Sequence, residues 1–478
     1  MTQKIRFSGR IVILGYGSVG RCILPAIPKH FDVAMERICV VAEHDYDPLF
    51  VPWRDQGVNY VRLTLTSSNL DESLEKLVQA GDLLINLTAG VDALKIIEWC
   101  HHHHVLYVDT SLEPWAEAYQ NSALPNHTRT HYAAHQQARA MAAKWPKDSA
   151  TAIVTHGANP GMVNHFVKVA LLKLAENMGL AVSAPKNRTE WADLAHRTGT
   201  KVIHISERDT QRSSKPKQPD EFANSWSVLG FWGESLYPAD LGWGTHEKSL
   251  PPLGYKLSHG HSPDNAIYIN RPGGETLVRS WVPKGGPIYG MVISHSESIT
   301  LSDYLTKFDA HNHPIYRPTV HYAYCPSGDG ILSLREMAMR GWQPPDPDKV
   351  RILGDDIVDG IDELGVLLLG HGRNAAWYGS QLSIHEARKI IPGQNATSLQ
   401  VCAGVMSACV YAVQHPKLGY CEPEDLPHDE IMAIAAPYLG PMIYQESDWT
   451  PLKSRTKLFP DATIDASDPW QFTNFLVR

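Results

Sequence analysis

The chain has 478 residues, of which 43% are hydrophobic and 20% charged, so it can bury a sizeable core and is not a mostly disordered protein. Its formal net charge of −8 makes it a poor partner for a phosphate backbone, and no run of lysines or arginines suggests a nucleic-acid surface. At roughly 150 residues per domain, this length predicts about two to four domains.

The sequence has no feature that predicts export or membrane insertion. No apolar run approaches the roughly 20 residues that cross a bilayer, and residues 1–10 lack the apolar segment of a signal peptide. The seven cysteines are scattered and never spaced CxxC, which is typical of a reduced chain without a disulfide framework. We therefore predict a cytoplasmic protein with neither a membrane nor a nucleic-acid partner.

Strand and helix patterns alternate through the first third of the chain. Short apolar runs predict strands at residues 11–14, 37–42, 58–65, 82–86, 105–108 and 151–155. Helical spacing predicts a helix that begins near Ser18 and further helices at residues 71–79, 91–100 and 162–179. This alternation predicts a parallel sheet with crossover helices, and hence an α/β domain over residues 1–160.

The pattern changes after residue 160. Short β-like runs at residues 201–206, 277–282, 289–295 and 319–324 are separated by loops rich in Gly, Pro and Trp. A mixed or antiparallel sheet fits these runs, so residues 161–395 are predicted to form a second, α+β domain. Residues 396–478 are predicted to form a helical segment that packs back on the first domain, with helices at residues 398–413 and 429–439.

A glycine-rich turn follows the first of these predicted strands. The string Gly15-Tyr-Gly-Ser-Val-Gly20 lies between that strand and a predicted helix, which is the context that a dinucleotide-binding motif needs. Its glycines permit a tight turn and a close approach of the backbone to a pyrophosphate at the positive end of a helix. We predict a Rossmann domain with five cofactor-binding residues here: Gly15, Gly17, Ser18, Val19 and Gly20. The alternative is a glycine turn in a sheet without a cofactor.

Glu43 is the residue expected to select the cofactor. It lies 23 positions after Gly20, at the end of the second strand of the predicted alternation. A carboxylate there accepts hydrogen bonds from the ribose hydroxyls and repels a 2′-phosphate. Because residues 43–47 contain no arginine, the sequence favours NAD over NADP.

Three more loops follow the carboxyl ends of predicted strands, where open α/β sheets bind ligands. They begin at Asn86, Asp109 and Gly157. The cofactor contacts predicted from them are Asn86, Thr88, Thr110, Gly157, Asn159 and Pro160. Each loop fits an ordinary turn or helix cap equally well, because Asn, Thr, Gly and Pro are common turn residues.

The second domain carries carboxylates among tryptophans. Glu207 follows a predicted strand, Glu234 lies near Trp226, and Asp362 comes later in the chain. Such residues are usually solvated or packed, but together they would suit an ammonium ligand, since carboxylates accept its protons and an indole face attracts its charge. Residues 101–104 are four histidines at a predicted helix end, and we interpret them as a solvated terminus and predict no catalytic metal.

Several long strings resemble the bacterial homospermidine synthases, a family of saccharopine-dehydrogenase-like Rossmann proteins, over essentially the whole chain. The strings begin with Gly15–Gly20, Glu113–Trp115, Gly157–Met162 and Ile205–Gln211, and continue with Leu241–Thr245, Tyr322–Tyr324, Val358–Gly365, Trp377–Ser383 and Ser467–Phe472. The resemblance implies a homodimer that condenses two putrescines into sym-homospermidine and ammonia through imine intermediates. It also implies that NAD is recycled as a prosthetic group.

The resemblance implies residues that serve the diamine. Glu207, Glu234 and Asp362 match carboxylates that serve it, and Glu113, in a matching string near the expected nicotinamide end, would bind or deprotonate the second amine. Trp226 matches an indole that stabilises cationic amine and imine intermediates. Putrescine is a dication, so an anionic anchor for its distal ammonium is a physical requirement of this reaction.

The resemblance also implies residues that handle protons. The reacting amine must lose a proton before hydride departs, and Glu207 and His295 are both candidates for the general base. Asn159 matches an asparagine that positions the amine and the nicotinamide carboxamide. One departure concerns a family aspartate two positions before Asp92, where this chain has Gly90, so a contribution of that loop to the site is in doubt.

Two other functions remain open. A saccharopine- or carboxyspermidine-type dehydrogenase would consume reduced cofactor, but its carboxylate substrates should require an arginine clamp, and the matched strings show no paired arginine motif. A non-catalytic NAD-binding sensor would use the acids and aromatics for structure only.

Overall fold

The computed structural model describes residues 4–45, 48–259, 262–455, 458 and 464–477, and its first sheet has seven parallel strands. In spatial order these are Tyr420–Cys421, Ala152–Ile153, Leu106–Asp109, Leu83–Asn86, Ile11–Leu14, Ile38–Ala42 and Asn59–Arg62. Three neighbouring strands in the middle of this sheet, Leu106–Asp109, Leu83–Asn86 and Ile11–Leu14, are fully buried. Parallel sheets are covered on both faces, which explains this burial. The predicted parallel α/β sheet is confirmed.

Helices cover both faces of this sheet. Along the central strand, Ile11 and Ile13 pack into one apolar cluster, whereas Val12 and Leu14 pack into another. The helices of the first part of the chain are Ser18–Ile23, Ile27–His30, Val51–Arg54, Leu70–Leu77, Ala93–His102 and His131–Ala142. The chain therefore has a core on each side of the sheet, as a doubly wound domain requires.

The second sheet is mixed and has ten strands. Eight lie in the order Gly254–His259, Ser262–Pro272, Pro238–Gly242, Thr319–Cys325, Val202–Asp209, Ile361–Leu369, Ala375–Ser383 and Met442–Ser447. The hairpin of Leu277–Val282 and Gly286–Met291 attaches to Thr319–Cys325. Only the pairing of Thr319–Cys325 with Val202–Asp209 is parallel within the described part of this sheet, so the prediction of a mixed sheet is confirmed.

Nine helices of the described chain are absent from the sequence prediction, and four of these have seven residues or fewer. The five longer ones are His131–Ala142, Arg188–Thr198, Val228–Leu236, Ser296–Tyr304 and Gly328–Met339. Polar residues or glycines interrupt their apolar spacing, so tertiary packing stabilises them more than their own pattern does. The other helices of the second part are Met162–Asn177, Ile384–Ile390, Ala396–Gln414, His428–Leu439 and Phe472–Phe475.

Smaller elements complete the chain. Four two-stranded pairs join Ile5–Arg6 with Phe31–Asp32, Arg212–Ser213 with Ile357–Asp359, Phe222–Asn224 with Val350–Ile352, and Lys307–Phe308 with Pro314–Tyr316. Single 3₁₀ turns lie at Met35–Arg37, Pro48–Phe50, Ala116–Ala118, Asn126–Thr128, Gly273–Glu275, Pro347–Lys349 and Pro423–Asp425.

The segment after residue 396 joins the two sheets. Helix Ala396–Gln414 contacts helix Ser18–Ile23 of the first part of the chain. Strand Tyr420–Cys421 extends the parallel sheet and Met442–Ser447 extends the mixed sheet, two strands that the helical prediction did not include. One apolar cluster runs from the first sheet to the second, so the divisions at residues 160 and 395 stay predictions.

Helix Ala396–Gln414 is also the one helix of the described chain that is long and apolar enough to cross a bilayer. It lies inside the protein, with 83% of its most apolar stretch buried, as the core helix of a folded domain does.

Candidate active site

A cavity lies where the carboxyl ends of the parallel strands meet the mixed sheet. It brings together residues that are far apart in sequence, from the loops after the parallel strands and from strand Val202–Asp209. Eleven of the predicted site residues line it: Val19, Thr88, Thr110, Glu113, Gly157, Asn159, Pro160, Glu207, Trp226, Glu234 and His295.

The glycine turn has the shape that a dinucleotide needs. Gly15 has a φ of +98°, and a Cβ atom there would lie 2.8 Å from the Leu87 carbonyl oxygen, so only glycine fits. A Cβ atom at Gly20 would lie 2.4 Å from the Gly15 carbonyl oxygen, whereas at Gly17 nothing lies within 4 Å. Gly15 and Gly20 therefore shape the turn, and Gly17 leaves open space for a ligand. Gly17 and Ser18 line a groove outside the cavity.

Apart from the glycine turn, two predicted cofactor residues lie outside the cavity, Glu43 and Asn86. The Glu43 side chain is 58% exposed at the end of its strand, so a ribose can reach it. Its Oε1 atom lies 3.2 Å from His44 Nε2. Tyr46 and Asp47, the end of the arginine-free segment, lie outside the described residues. Asn86 is buried, and its Oδ1 atom accepts a hydrogen bond from Thr88 Oγ1 at 2.6 Å. Asn86 therefore shapes the loop that brings Thr88 to the cavity.

Glu207 is placed as a general base would be. It accepts hydrogen bonds from the Tyr322 hydroxyl and, at 2.5 Å, from Asn159 Nδ2. Burial raises the pKa of Glu207 to about 7, although both hydrogen bonds oppose this rise. A carboxylate with a pKa near neutrality can both take up and return a proton at physiological pH. Tyr322 occurs in a string that resembles the family, but its contact with Glu207 could be found only in the structure.

His295 lies between two carboxylates. Its Nε2 atom is 3.0 Å from Glu234 Oε2, and its Nδ1 atom is 3.2 Å from Glu297 Oε1. Burial alone would lower the pKa of His295, but the charges of Glu297 and Glu234 outweigh burial and raise it well above its usual value. Since an imidazolium cannot accept a proton, the geometry favours Glu207 as the base. Glu297 was not among the predicted residues, although it lies only two positions after His295.

Glu113 faces the cavity with an unsatisfied carboxyl oxygen. Burial, and the nearby charge of Glu234, raise the pKa of Glu113 to about 8. Its Oε2 atom is buried and has no hydrogen-bond partner among the described residues. An ammonium group would satisfy this oxygen and draw the carboxyl into its charged form.

A second chamber adjoins the cavity beside Glu113 and Glu234, which line both. Asp92 lines this chamber, and its Oδ1 atom accepts a hydrogen bond from Lys95 N at 3.1 Å. Gly90 has a left-handed backbone, with a φ of +74°, and a Cβ atom there would lie 2.9 Å from Ala116 Cβ. Asp92, two positions after Gly90, therefore presents a carboxylate to the chamber.

Trp226 and Asp362 differ in their access to the cavity. The Trp226 ring lines it and donates from Nε1 to the Tyr324 hydroxyl at 3.2 Å. Asp362 is fully buried and lies outside the lining; its Oδ2 atom accepts a hydrogen bond from Thr397 Oγ1 at 2.6 Å. Burial and the charge of Glu207 raise the pKa of Asp362 well above its usual value. Thr397, not Asp362, faces the ligand space, which departs from the expected diamine contact.

The charge of the cavity suits a cation. Glu113, Glu207 and Glu234 line it, and none of its described lining residues is a lysine or an arginine. A carboxylate-bearing substrate would meet repulsion there, whereas an amine would find acceptors and an indole face. Within the described chain, no three His, Cys, Asp or Glu side chains are grouped to hold a metal ion, and the predicted absence of a metal stays a prediction.

The chain is similar to known proteins over essentially its whole length. Residues 11–153 match the saccharopine dehydrogenase NADP binding domain, and residues 157–445 match the saccharopine dehydrogenase C-terminal domain. A homospermidine synthase of Blastochloris viridis is 45% identical over 99% of this chain and 98% of its own length. One of Mesorhizobium japonicum is 43% identical over 98% of this chain and 97% of its own. The crystal structure of the homospermidine synthase from Legionella pneumophila in complex with NAD has a TM-score of 0.90 at 42% identity, covering 100% of both chains.

Proposed function

The chain belongs to the homospermidine synthase family, and from this premise we propose that it condenses two putrescines into sym-homospermidine and ammonia, with NAD as a recycled prosthetic group. The observation that carries the proposal is the cavity itself. It lies at the carboxyl ends of the parallel strands, and three carboxylates and Trp226 line it. A diamine can therefore be held where a nicotinamide ring is expected.

The cofactor is held by the first part of the chain. The backbone at Gly15, Gly17 and Ser18 would receive the pyrophosphate, and Glu43 the adenosine ribose. The carboxylate of Glu43 favours NAD, because it would repel the 2′-phosphate of NADP. When bound, NAD accepts a hydride from the carbon beside one amine and returns a hydride at the end of the cycle, so the reaction has no net oxidation.

Glu113 and Glu234 anchor the diamine. Glu113 presents its unpaired Oε2 atom to the cavity, and His295 holds Glu234 in place. An ammonium bound between these carboxylates makes charge-assisted hydrogen bonds, which are stronger than neutral ones. The anchor leaves the other end of the diamine free to reach Glu207.

Glu207 removes a proton from the reacting amine, so that the nitrogen lone pair can stabilise the developing imine. Asn159 and Tyr322 orient its carboxylate through hydrogen bonds. The Trp226 ring lines the same cavity as Glu207 and stabilises cationic amine and imine species by its ring quadrupole. The second putrescine then displaces ammonia from the imine carbon, and reduction of the new imine yields the product.

A turnover assay separates this function from its alternatives. With excess putrescine and a small amount of NAD, homospermidine should accumulate over many cycles without stoichiometric NADH. Consumption of one reduced cofactor per product would instead indicate a dehydrogenase of the saccharopine or carboxyspermidine type. Binding of NAD without any product would indicate a sensor.

The cellular setting is also part of the proposal. A cytoplasmic homodimer without a nucleic-acid or membrane partner fits the acidic charge and the free cysteines of the described chain. Light scattering on the purified protein measures the oligomeric state directly, and a mass of one chain would contradict the dimer.

A further inference from the structure

A buried aspartate lies directly behind the loops that line the cavity. Asp109 ends strand Leu106–Asp109, and its side chain is 0% exposed. The next two residues, Thr110 and Ser111, line the cavity, whereas Asp109 does not. Within the described chain no cation pairs with its carboxyl group, which is held by neutral donors. Burying a carboxyl group without a counter-ion costs free energy, so its presence here calls for an explanation.

Asp109 holds the turn that leads into the loop of Asn159. Its Oδ1 atom accepts a hydrogen bond from Thr155 N at 2.5 Å, and its carbonyl oxygen accepts one from His156 N at 2.8 Å. Thr155 has a left-handed backbone, with a φ of +51°, which is unfavourable for a β-branched residue. The two hydrogen bonds therefore stabilise a turn that the local sequence disfavours, and this turn sets the direction in which residues 157–161 leave the sheet.

The other carboxyl oxygen connects to a second loop. Asp109 Oδ2 accepts a hydrogen bond from the Tyr107 hydroxyl at 2.7 Å, and this hydroxyl accepts one from Asn86 Nδ2 at 3.0 Å. Asn86 in turn accepts a hydrogen bond from Thr88, which lines the cavity. Asp109 therefore ties together the loops that follow three neighbouring strands of the parallel sheet.

The position of Asn159 acts on Glu207. The hydrogen bond that Asn159 Nδ2 donates to Glu207 Oε2 at 2.5 Å lowers the pKa of this carboxyl group against the effect of burial. Hydrogen bonds to a carboxylate are strong only at short distance and good alignment. A displaced loop would therefore weaken the bond, and the pKa of Glu207 would rise further.

The two acids have different titratable neighbours. Those that face Glu207 are Tyr322, Tyr324, Asp209, Asp362 and His295. Those that face Asp109 are Tyr107, Glu113 and Tyr420. Because the two sets share no member, the loop of Asn159 is the connection between Asp109 and Glu207. Burial also raises the pKa of Asp109 to about 7, so an experiment has to tell the two titrations apart.

We propose that Asp109 is a positioning residue for the general base: its carboxyl group holds the turn at Thr155 and thereby places Asn159 against Glu207. This inference rests on the proposed role of Glu207 in putrescine turnover. Asn159 leaves the parallel sheet and Glu207 belongs to the mixed sheet. Asp109 therefore couples the geometry of the first sheet to the base on the second.

Asp109→Asn tests this role, with Asp82→Asn as the matched control. Asp82 is also buried, but it pairs with Arg10 Nε at 2.8 Å and precedes strand Leu83–Asn86, at the opposite edge of the sheet. Initial rates of the full chain with NAD and putrescine, measured over a range of pH, give kcat/KM. Asp109→Asn should lower kcat/KM about tenfold and move the limb near pH 7 up by about one pH unit, because Glu207 loses a hydrogen bond. Asp82→Asn should change neither.

Two results with Asp109→Asn overturn the proposal. A limb at the wild-type pH would show that Glu207 does not respond to Asp109. A limb that disappears would belong to the titration of Asp109 itself. Asn159→Ala provides the background for a double-mutant cycle, in which Asp109→Asn should not move the limb any further. Additive shifts in this cycle also overturn the proposal.

Tyr107→Phe provides a second test in case Asp109→Asn does not fold. It removes one donor to Asp109 and should move the limb in the same direction. Its control is Tyr316→Phe, which removes a buried hydroxyl that donates to the Thr200 carbonyl at 2.7 Å and should not move the limb. An unchanged limb and kcat/KM of Tyr107→Phe overturn the proposal on their own. Failure of the wild-type chain to form homospermidine would refute the proposed function, whereas normal wild-type turnover with unshifted variants refutes only the role of Asp109.

Discussion

The Nε2 atom of His295 lies 3.0 Å from the Oε2 atom of Glu234. Glu297 contacts the other ring nitrogen, so the imidazole bridges two carboxylates in a buried position. This arrangement keeps the ring protonated and leaves Glu234 oriented toward the cavity. His295 therefore contributes charge and orientation, and the proton acceptor of the proposed reaction is Glu207.

His295 should remain an imidazolium above neutral pH in the free enzyme. The charges of Glu297 and Glu234 raise its pKa despite burial, so its ring signals in an NMR titration should not change between pH 6 and 7. Because the folded pKa is the higher one, the ion pairs stabilise the protein below about pH 6.5 and this stabilisation is lost as pH rises through the folded pKa. Glu297→Gln should lower the pKa of His295, because it removes one of these two charges. A neutral ring at pH 6.5 would contradict the proposed bridge.

Glu207→Gln should reduce kcat by about 100-fold or more, the usual contribution of a general base. Since the pKa of Glu207 in the free protein is raised to about 7, wild-type kcat/KM should rise with pH through about 7 and fall as the carboxylate becomes protonated below it. The variant should lose this limb of the pH profile.

The matched control for Glu207 is Glu247. Burial also raises the pKa of Glu247 to about 7, but this residue pairs with Thr319 and does not line the cavity. Glu247→Gln should keep the pH limb. An identical loss of kcat and of the limb in both variants would show that the effect is structural and would refute the role of Glu207.

Trp226→Ala should weaken stabilisation of cationic intermediates by about 0.5–2 kcal/mol or more, measured as a fall in kcat/KM for putrescine. Trp226→Phe keeps an aromatic face and should recover part of the loss. If alanine and phenylalanine at this position act alike, the ring face has no electrostatic role and Trp226 is only a packing residue.

Gly17→Ala should impair NAD binding, whereas Gly20→Ala should impair the stability of the fold. A Cβ atom at position 17 meets no protein atom within 4 Å, so this variant should keep its Tm but bind NAD poorly, since the methyl group enters the ligand space. A Cβ atom at position 20 would lie 2.4 Å from the Gly15 carbonyl oxygen, so the second variant should lower the Tm. Thermal melts with and without NAD measure both effects. Normal NAD affinity of Gly17→Ala would contradict the placement of the pyrophosphate.

1,3-Diaminopropane should be a poorer first substrate than putrescine. It is one methylene shorter, so we expect its second ammonium to contact Glu113 and Glu234 less well while the first amine contacts Glu207. Initial rates with each diamine alone give the comparison. Equal kcat/KM values would argue against an anchor at a fixed distance from the base.

Only part of this site could be predicted from patterns in the sequence. Gly15, Gly17 and Gly20 could be assigned from sequence because their spacing and flanking elements occur within one local segment. The contact of Tyr322 with Glu207 could not, because it joins two strands 115 residues apart. The shielding of Asp362 behind Thr397 likewise depends on how a helix start packs on a strand.

By itself, the sequence determined the parallel α/β sheet, the glycine turn, the acidic charge and the family resemblance, because each depends on local periodicity or on strings of adjacent residues. Only the tertiary structure decided which acid has the pKa of a base and which histidine is charged. It also decided that residues after 396 join both sheets. These properties depend on burial and on charges brought together from distant parts of the chain, which no local pattern specifies.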